Sequence, residues 1–252
     1  MLTKPTCYLP ILFITFLFKQ PLYAQPKQSK WQIGANAGVF IYQGDLTPSI
    51  VGSYKTPSPV FGLYVNRVIT PSFAVKANIA AGILRGNDAA YNYPAYRQQR
   101  NFKFATPVAE VSALVVWNIF GNNGNELGNT FSPYAFVGVG ASFIKVARDF
   151  TGLNKSLFSN GSAEQIGLAA DLATTPPTII PVIPLGIGVE YYVSPKISLT
   201  FETNFRYTFT DYIDGFKFAA NPAKKDYYHS HTIGVLYRFG GKEKLGCPVM
   251  NF

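Results

Sequence analysis

Residues 196–210 read Lys-Ile-Ser-Leu-Thr-Phe-Glu-Thr-Asn-Phe-Arg-Tyr-Thr-Phe-Thr. Ile197, Leu199, Phe201, Thr203, Phe205, Tyr207 and Phe209 share one parity; Ser198, Thr200, Glu202, Asn204, Arg206 and Thr208 share the other. Successive side chains of an extended strand point to opposite sides, so this is a strand with one oily and one polar surface, a pattern no helix satisfies. About ten residues tilted near 45° cross a hydrocarbon layer, whereas most strands of soluble proteins run to about five or six. The segment is longer than the crossing requires and reads as part of a membrane wall.

The start of the chain supports export. Lys4 precedes the apolar run 8–18, and a polar stretch ends at Tyr23-Ala24. A charged start, a short oily middle and a small residue at the cut describe a cleaved signal peptide over 1–24. Cys7 lies inside that segment and away from the cut, which argues against a lipid anchor. No later run reaches the length of a membrane helix, so the remaining way to satisfy every backbone group in lipid is a closed barrel. An exported chain of this kind is expected in the outer membrane of a bacterium, in contact with its lipids.

Eight alternating segments can be marked, at about 31–43, 59–69, 72–84, 101–119, 131–147, 179–193, 196–210 and 227–240. Outward faces include Trp31, Ile33 and Ile41 in the first, Phe73 to Ile83 at odd positions in the third, and Val111, Val115 and Trp117 in the fourth. The fold class is therefore all-β, an eight-stranded antiparallel transmembrane barrel over 25–240, followed by a periplasmic tail over 241–252. Connection lengths agree with it. Long loops at 44–58, 85–100, 148–178 and 211–226 alternate with turns at Thr70-Pro71, 121–130 and Ser194-Pro195. Short turns face the periplasm in such barrels and long loops face outward. Pro107, Pro181 and Pro184 lack a ladder donor and predict bulges or shifted strand starts. Loop 148–178 has no sustained period and is expected to be mobile, with a short helical turn near 163–173.

The chain carries 22 Lys and Arg against 13 Asp and Glu. Their scatter among strands and loops, together with export, argues against nucleic acid as a partner. Aromatic residues make up 15% of the chain, which suits girdles at the two membrane interfaces. Eight strands leave a bore that side chains fill, so solute transport is not expected. Lys76, Glu110, Glu190, Glu202, Arg206 and Arg238 face inward and form a polar lumen network, with Glu202 and Arg206 as expected partners, because a desolvated carboxylate survives when paired. Acid–base roles for Glu110, Glu190 and Glu202 find no support in their spacing.

His229-Ser230-His231 is the one catalytic-looking cluster, but a strand sends its histidines to one face and its serine to the other. No catalytic, cofactor or metal-binding residue is assigned. Asp45, Asp88, Asp211 and Asp214 fall near one rim with Arg85, Arg97 and Arg100, where pairing of acids with arginines is preferred over calcium or lipopolysaccharide phosphate. Cys247, the single cysteine left after cleavage, lies in the tail and is a candidate contact to a periplasmic partner.

Several loop-end motifs resemble one family as a set. Tyr42-Gln43-Gly44-Asp45-Leu46, Arg85-Gly86-Asn87-Asp88-Ala89, Arg100-Asn101-Phe102-Lys103-Phe104, Pro133-Tyr134, Pro184-Leu185-Gly186-Ile187-Gly188-Val189-Glu190 and Thr210-Asp211-Tyr212-Ile213-Asp214 occur in the order found in a Bacteroidota outer-membrane barrel family. That family includes PorG, a component of the type IX secretion system, and Cys247-Pro248 resembles its cysteine-bearing tail. The resemblance implies a non-enzymatic barrel that anchors a periplasmic ring of proteins resembling PorK and PorN to the outer membrane. Loop 148–178 carries no motif of the family. Two other readings stand beside this one: a general OmpA-like envelope barrel acting through its external loops as an adhesin or lipopolysaccharide binder, and a barrel hydrolase using the His229 cluster.

Overall fold

A computed structural model describes residues 31–123, 130–221 and 225–239. The proposed signal segment and the tail with Cys247 lie outside these residues. Nine strands are present among the described residues: β1 (Trp31–Gln43), β2 (Ser58–Val68), β3 (Phe73–Asn87), β4 (Lys103–Asn118), β5 (Phe131–Ile144), β6 (Ala147–Asp149), β7 (Ile179–Tyr192), β8 (Ile197–Thr208) and β9 (Tyr227–Arg238). β6 continues β5 after two residues and pairs with the same neighbour, so the wall has eight staves. Every pairing is antiparallel, β1 meets β9, and the β3–β4 pair completes the ring. The eight expected strands are all found, with ends displaced by a few residues at most.

Exposure alternates along the strands, with apolar side chains outward and a mixture of polar, aromatic and aliphatic ones in the bore. Two of the short turns share their chemistry. In Thr70-Pro71-Ser72-Phe73 and Ser194-Pro195-Lys196-Ile197 the first hydroxyl accepts the N–H three residues on, at 3.0 Å in each case. Proline at the second position fixes the φ such a turn needs. Inside the bore, Tyr64 lies over its ladder partner Gly34 and Tyr134 over Gly188. A Cβ at either glycine would collide with the ring, so these glycines are places where an aromatic side chain crosses the bore.

Three sequence expectations are corrected. The register does not shift at the prolines: pairing of β4 with β5 stops short of Pro107 and resumes with β6 in the same register, β5–β7 does likewise across Pro184, and Pro181 stays paired with Ala141. A missing N–H removes one rung, and the flanking rungs hold the alignment. Ile41, expected to face lipid, is completely buried, because the first loop folds back over the outside of β1 with Gly52 against it. Loop 148–178 is packed rather than mobile. Its helix α2 (Ala163–Ala173) is capped by Ser162, and Leu153, Phe158 and Leu168 are buried.

These side chains join Phe40, Leu46, Leu84, Phe102, Ile213 and Phe216 in a hydrophobic core that continues the bore beyond the strand ends. Phe102 and Phe216 stack face to face with centroids 4.4 Å apart. The Arg148 guanidinium ties the lid together by donating to the carbonyls of Asp171 at 2.7 Å and Gly215 at 2.9 Å. The Asp171 carboxylate in turn accepts the N–H groups of Phe218 and Ala219. The described residues of the four long loops therefore pack into a lid on the barrel.

Candidate functional site

Three places hold the polar side chains singled out by sequence. In the bore, the wall alternation turns Lys76, Glu110, Glu190, Glu202, Arg206 and Arg238 inward, and all six are buried. Lys76 pairs with Glu202, which also accepts from the Tyr134 hydroxyl at 2.7 Å. Arg206 donates to Glu110 at 3.0 Å, and the Tyr228 hydroxyl shares the same oxygen. Arg238 pairs with Glu190 and lies over the ring of Tyr192. The expected Glu202–Arg206 partnership is absent. Four residues of extended chain span about 13 Å, which places the two on one face but out of reach. Each instead finds its partner across the bore. The cavities left between these groups measure about 20 and 10 Å³, room for one or two waters and no larger solute.

The second place is the chamber beneath the lid. Tyr42, inward-facing near the end of β1, has its hydroxyl 2.7 Å from both Asp214 Oδ2 and Asp226 Oδ1. One hydroxyl carries one proton, so the second contact requires a proton on a carboxyl. Burial raises the Asp214 carboxyl well above its usual range, and the neighbouring Asp226 adds to it. Burial also pushes Asp226 up to about 7, against the hydrogen bond from Tyr42. Asp211, half-buried, rises to about 8 through burial and then the charge of Asp45. None of Asp211, Asp214 and Asp226 forms an ion pair among the described residues. Backbone N–H groups of Ile213 and Phe216 donate to the two central carboxyls at 3.0 and 2.8 Å. Among the described residues no group of His, Cys, Asp and Glu is arranged to hold a metal ion.

The rim residues separate into pairs and singles. Asp88 accepts from Arg97 at 2.8 Å and from Arg100 Nε at 2.6 Å, with all three buried. The short helix α1 (Tyr96–Arg100) brings both guanidiniums to it, and they also reach the carbonyl of Asp45. The Asp45 carboxylate accepts the N–H of Asn221 at 2.8 Å. Arg85, expected to join this group, instead points outward and is exposed. Tyr42 was not singled out by sequence as a site residue, although its parity in β1 placed it inward.

His229 and His231 face outward, where the Tyr54 hydroxyl of the first loop lies 3.2 and 2.8 Å from their Nε2 atoms. Ser230 faces the bore and accepts a hydrogen bond from Arg206. The wall itself separates the serine from the histidines. At the opposite end, the start of the 121–130 turn folds under the mouth: Gln32 donates to the carbonyl of Asn123 at 2.9 Å and Tyr192 to that of Asn122 at 2.6 Å.

A family model described as "Domain of unknown function (DUF6089)" matches residues 9–242. No curated protein matches. Similar solved structures include Ail of Yersinia pestis, 10% identical with 84% of this chain and 99% of that one covered, at a TM-score of 0.43. Neisserial surface protein A is 14% identical over 84% of this chain and 98% of its own, at 0.42. OprG of Pseudomonas aeruginosa is 11% identical over 85% and 98%, at 0.43.

Proposed function

We propose that this chain, which belongs to the DUF6089 family and folds as an eight-stranded outer-membrane barrel, is a non-enzymatic anchor that works through its surfaces and not through its bore. The observation that carries this is the filled interior: three buried ion pairs and crossing tyrosines leave cavities of about 20 and 10 Å³. A bore of that size conducts nothing but water, so what the protein offers is a rigid cylinder with a face on each side of the membrane. The separation of Ser230 from His229 and His231 by the wall speaks against the hydrolase reading.

Resemblance to the family of PorG motifs makes the finer proposal an anchoring role in the type IX secretion system. A cleaved signal delivers the chain, and the turn end contacts periplasmic proteins resembling PorK and PorN. The 121–130 turn is part of the contact face, since its first residues are pinned to the barrel mouth at Gln32 and Tyr192. The tail with Cys247 would supply the second contact. Deleting the gene in a secreting host should abolish export of proteins bearing C-terminal sorting domains, and the tagged barrel should retain the two ring proteins on purification. Unchanged secretion after deletion would remove the reading.

A second reading has an observation of its own. The lid holds a groove of about 430 Å³ lined by Phe150, Leu153, Lys155, Leu168 and Leu172. Ile166 beside it is 62% exposed. An envelope barrel that binds an external partner through its loops would use such a surface, and deleting loop residues 150–175 would then abolish binding and spare secretion.

A further inference from the structure

The geometry points to a binding site for a phosphorylated lipid headgroup on the outer wall of the barrel, formed by Arg85, Lys103 and Lys145. It rests on the outer-membrane reading and gives the lipopolysaccharide-binding alternative a defined place on the wall, apart from the groove in the lid. Arg85 stands on β3, Lys103 on β4, and Lys145 directly after β5, three neighbouring staves. All three have the outward parity of the lipid-facing residues: Ile79 and Ala81 precede Arg85, Pro107 and Ala109 follow Lys103, and Phe143 precedes Lys145. The register fixes their spacing. Arg85 pairs with Ala105, which pairs with Ala147, so Lys103 lies one outward step beyond that rung and Lys145 one step below it.

These cations begin where the apolar wall ends. On β3 the outward face is apolar from Phe73 to Ile83, which at about 3.3 Å per residue and a tilt near 40° rises about 25 Å, the height of the hydrocarbon-facing band of such barrels. Arg85 is the next outward residue. The apolar run of β5 closes at Phe143 and the next outward residue is Lys145, while β4 passes through Ala105 before Lys103. Three separate staves thus place a positive charge at the level where lipid headgroups meet the acyl layer.

None of the three forms an ion pair among the described residues. Asp149, the ladder partner of Lys103, shares their face. Its Oδ1 is held by the Thr151 N–H at 2.9 Å and the Thr151 hydroxyl at 2.7 Å, and that backbone hydrogen bond keeps the carboxyl below its usual range. Asp149 therefore stays ionised and offsets one charge, leaving an excess of two. The corresponding face of β8 and β9 carries Phe205, Tyr207, Phe209 and Tyr227 in mutual ring contact instead. Exposed Lys225 precedes Tyr227 on that side, so the outward charge is concentrated over β3 to β5, where three cations stand on adjoining staves. An arginine fork holds a phosphate through two bonds while lysines add point charge, and acyl chains below would lie along Ile79, Phe143 and their neighbours. A free phosphate would engage the charges and leave the apolar rungs unused.

The test uses full-length protein taken from the outer-membrane fraction into detergent, with bis-phosphorylated lipid A, its dephosphorylated form and inorganic phosphate as probes, and bound lipid counted by native mass spectrometry. Wild-type protein should bind the phosphorylated lipid at least tenfold more tightly than the dephosphorylated form, less so at high salt. The R85Q/K103Q/K145Q variant should lose at least tenfold and K103R/K145R should keep the affinity. Equal binding of both lipids, or unchanged binding by the triple variant, would overturn the site while leaving the membrane location standing. Displacement by equimolar inorganic phosphate would overturn its assignment to a lipid. Wild-type protein missing from the outer-membrane fraction would instead overturn the location. Should the triple variant fail to fold by heat-modified gel mobility, K145Q alone, at a fully outward position, is measured, and unchanged binding there overturns the site.

Discussion

The bore and the chamber under the lid lie in the same cylinder, and both bury carboxyl groups, but they neutralise them differently. In the bore each carboxylate meets a cation: Glu202 with Lys76, Glu110 with Arg206, Glu190 with Arg238. In the chamber Asp214 and Asp226 share one phenol. A charge taken out of water is tolerated when it is paired or when a proton removes it. In the bore a cation from another stave neutralises each carboxylate. The chamber, outside the membrane-spanning part of the wall, holds its acids without a paired cation among the described residues, and burial raises both carboxyls, so a pH response is predicted for the lid.

Breaking a pair in the bore should have the largest effect. Glu202→Ala leaves Lys76 buried against Tyr64 with no opposing charge, and removal of one partner of a buried pair costs about 3–5 kcal/mol. Urea unfolding in detergent micelles measures it. Replacing both residues, Lys76→Met with Glu202→Met, should return most of the loss, because no charge is then left unpaired. If the double variant is as weak as the single one, pairing is not what the bore relies on.

The next effect is the pH response of the lid. Asp226 at about 7 and Asp211 at about 8 are both raised above the 3.8 of an exposed aspartate. The native lid thus binds protons more tightly than the unfolded chain. Its stabilisation is fully present below about pH 4 and is lost as pH rises through about 7 to 8. Hydrogen exchange of 210–221 and of α2, corrected for intrinsic rate, should lose protection by about tenfold or more between about pH 5 and pH 8.5. The Asp214→Asn variant should flatten that slope, since an amide needs no proton to stay neutral. Protection that is equal at both pH values would end the comparison between the two regions.

Tyr42→Phe comes third. It removes the hydroxyl that Asp214 and Asp226 share, and an unsatisfied buried acceptor costs about 1–3 kcal/mol. The loss should be greater at pH 8 than at pH 5, where a protonated carboxyl leaves no buried charge without its donor. The same exchange measurement reads it.

How much of this was legible in sequence depended on periodicity. A period of two in strands such as β8 fixes which side chains share a face, so the barrel, its eight staves and the inward set could be read residue by residue. Partnership could not, because it depends on how staves are staggered around the ring: Arg206 lies nearer to Glu110 of β4 than to Glu202 of its own strand. The lid was illegible for a different reason. Phe102, Phe158 and Phe216 come from three loops without a shared period, and only tertiary packing shows that they form one core. The motif residues Asp45, Asp88, Asp211 and Asp214 were visible as a set, but their division into an arginine-paired acid and a proton-sharing group was not.

The smallest predicted effect isolates what the acids contribute. Ser162 caps α2 by accepting the N–H of Gln165 at 3.3 Å, and its change to alanine should weaken the lid by about 1 kcal/mol. The hydroxyl is hydrogen-bonded to none of the chamber acids, so Ser162→Ala should lower protection of α2 by the same factor at pH 5 and at pH 8.5. The two exchange profiles would then run parallel. Asp214→Asn should instead make the profiles converge at low pH and separate at high pH. If Ser162→Ala also changes the slope, the lid opens as one unit whose acids merely report its opening. If the slope is unchanged, proton sharing around Tyr42 is itself the source of the pH response, as the absence of a paired cation on Asp214 and Asp226 among the described residues implies.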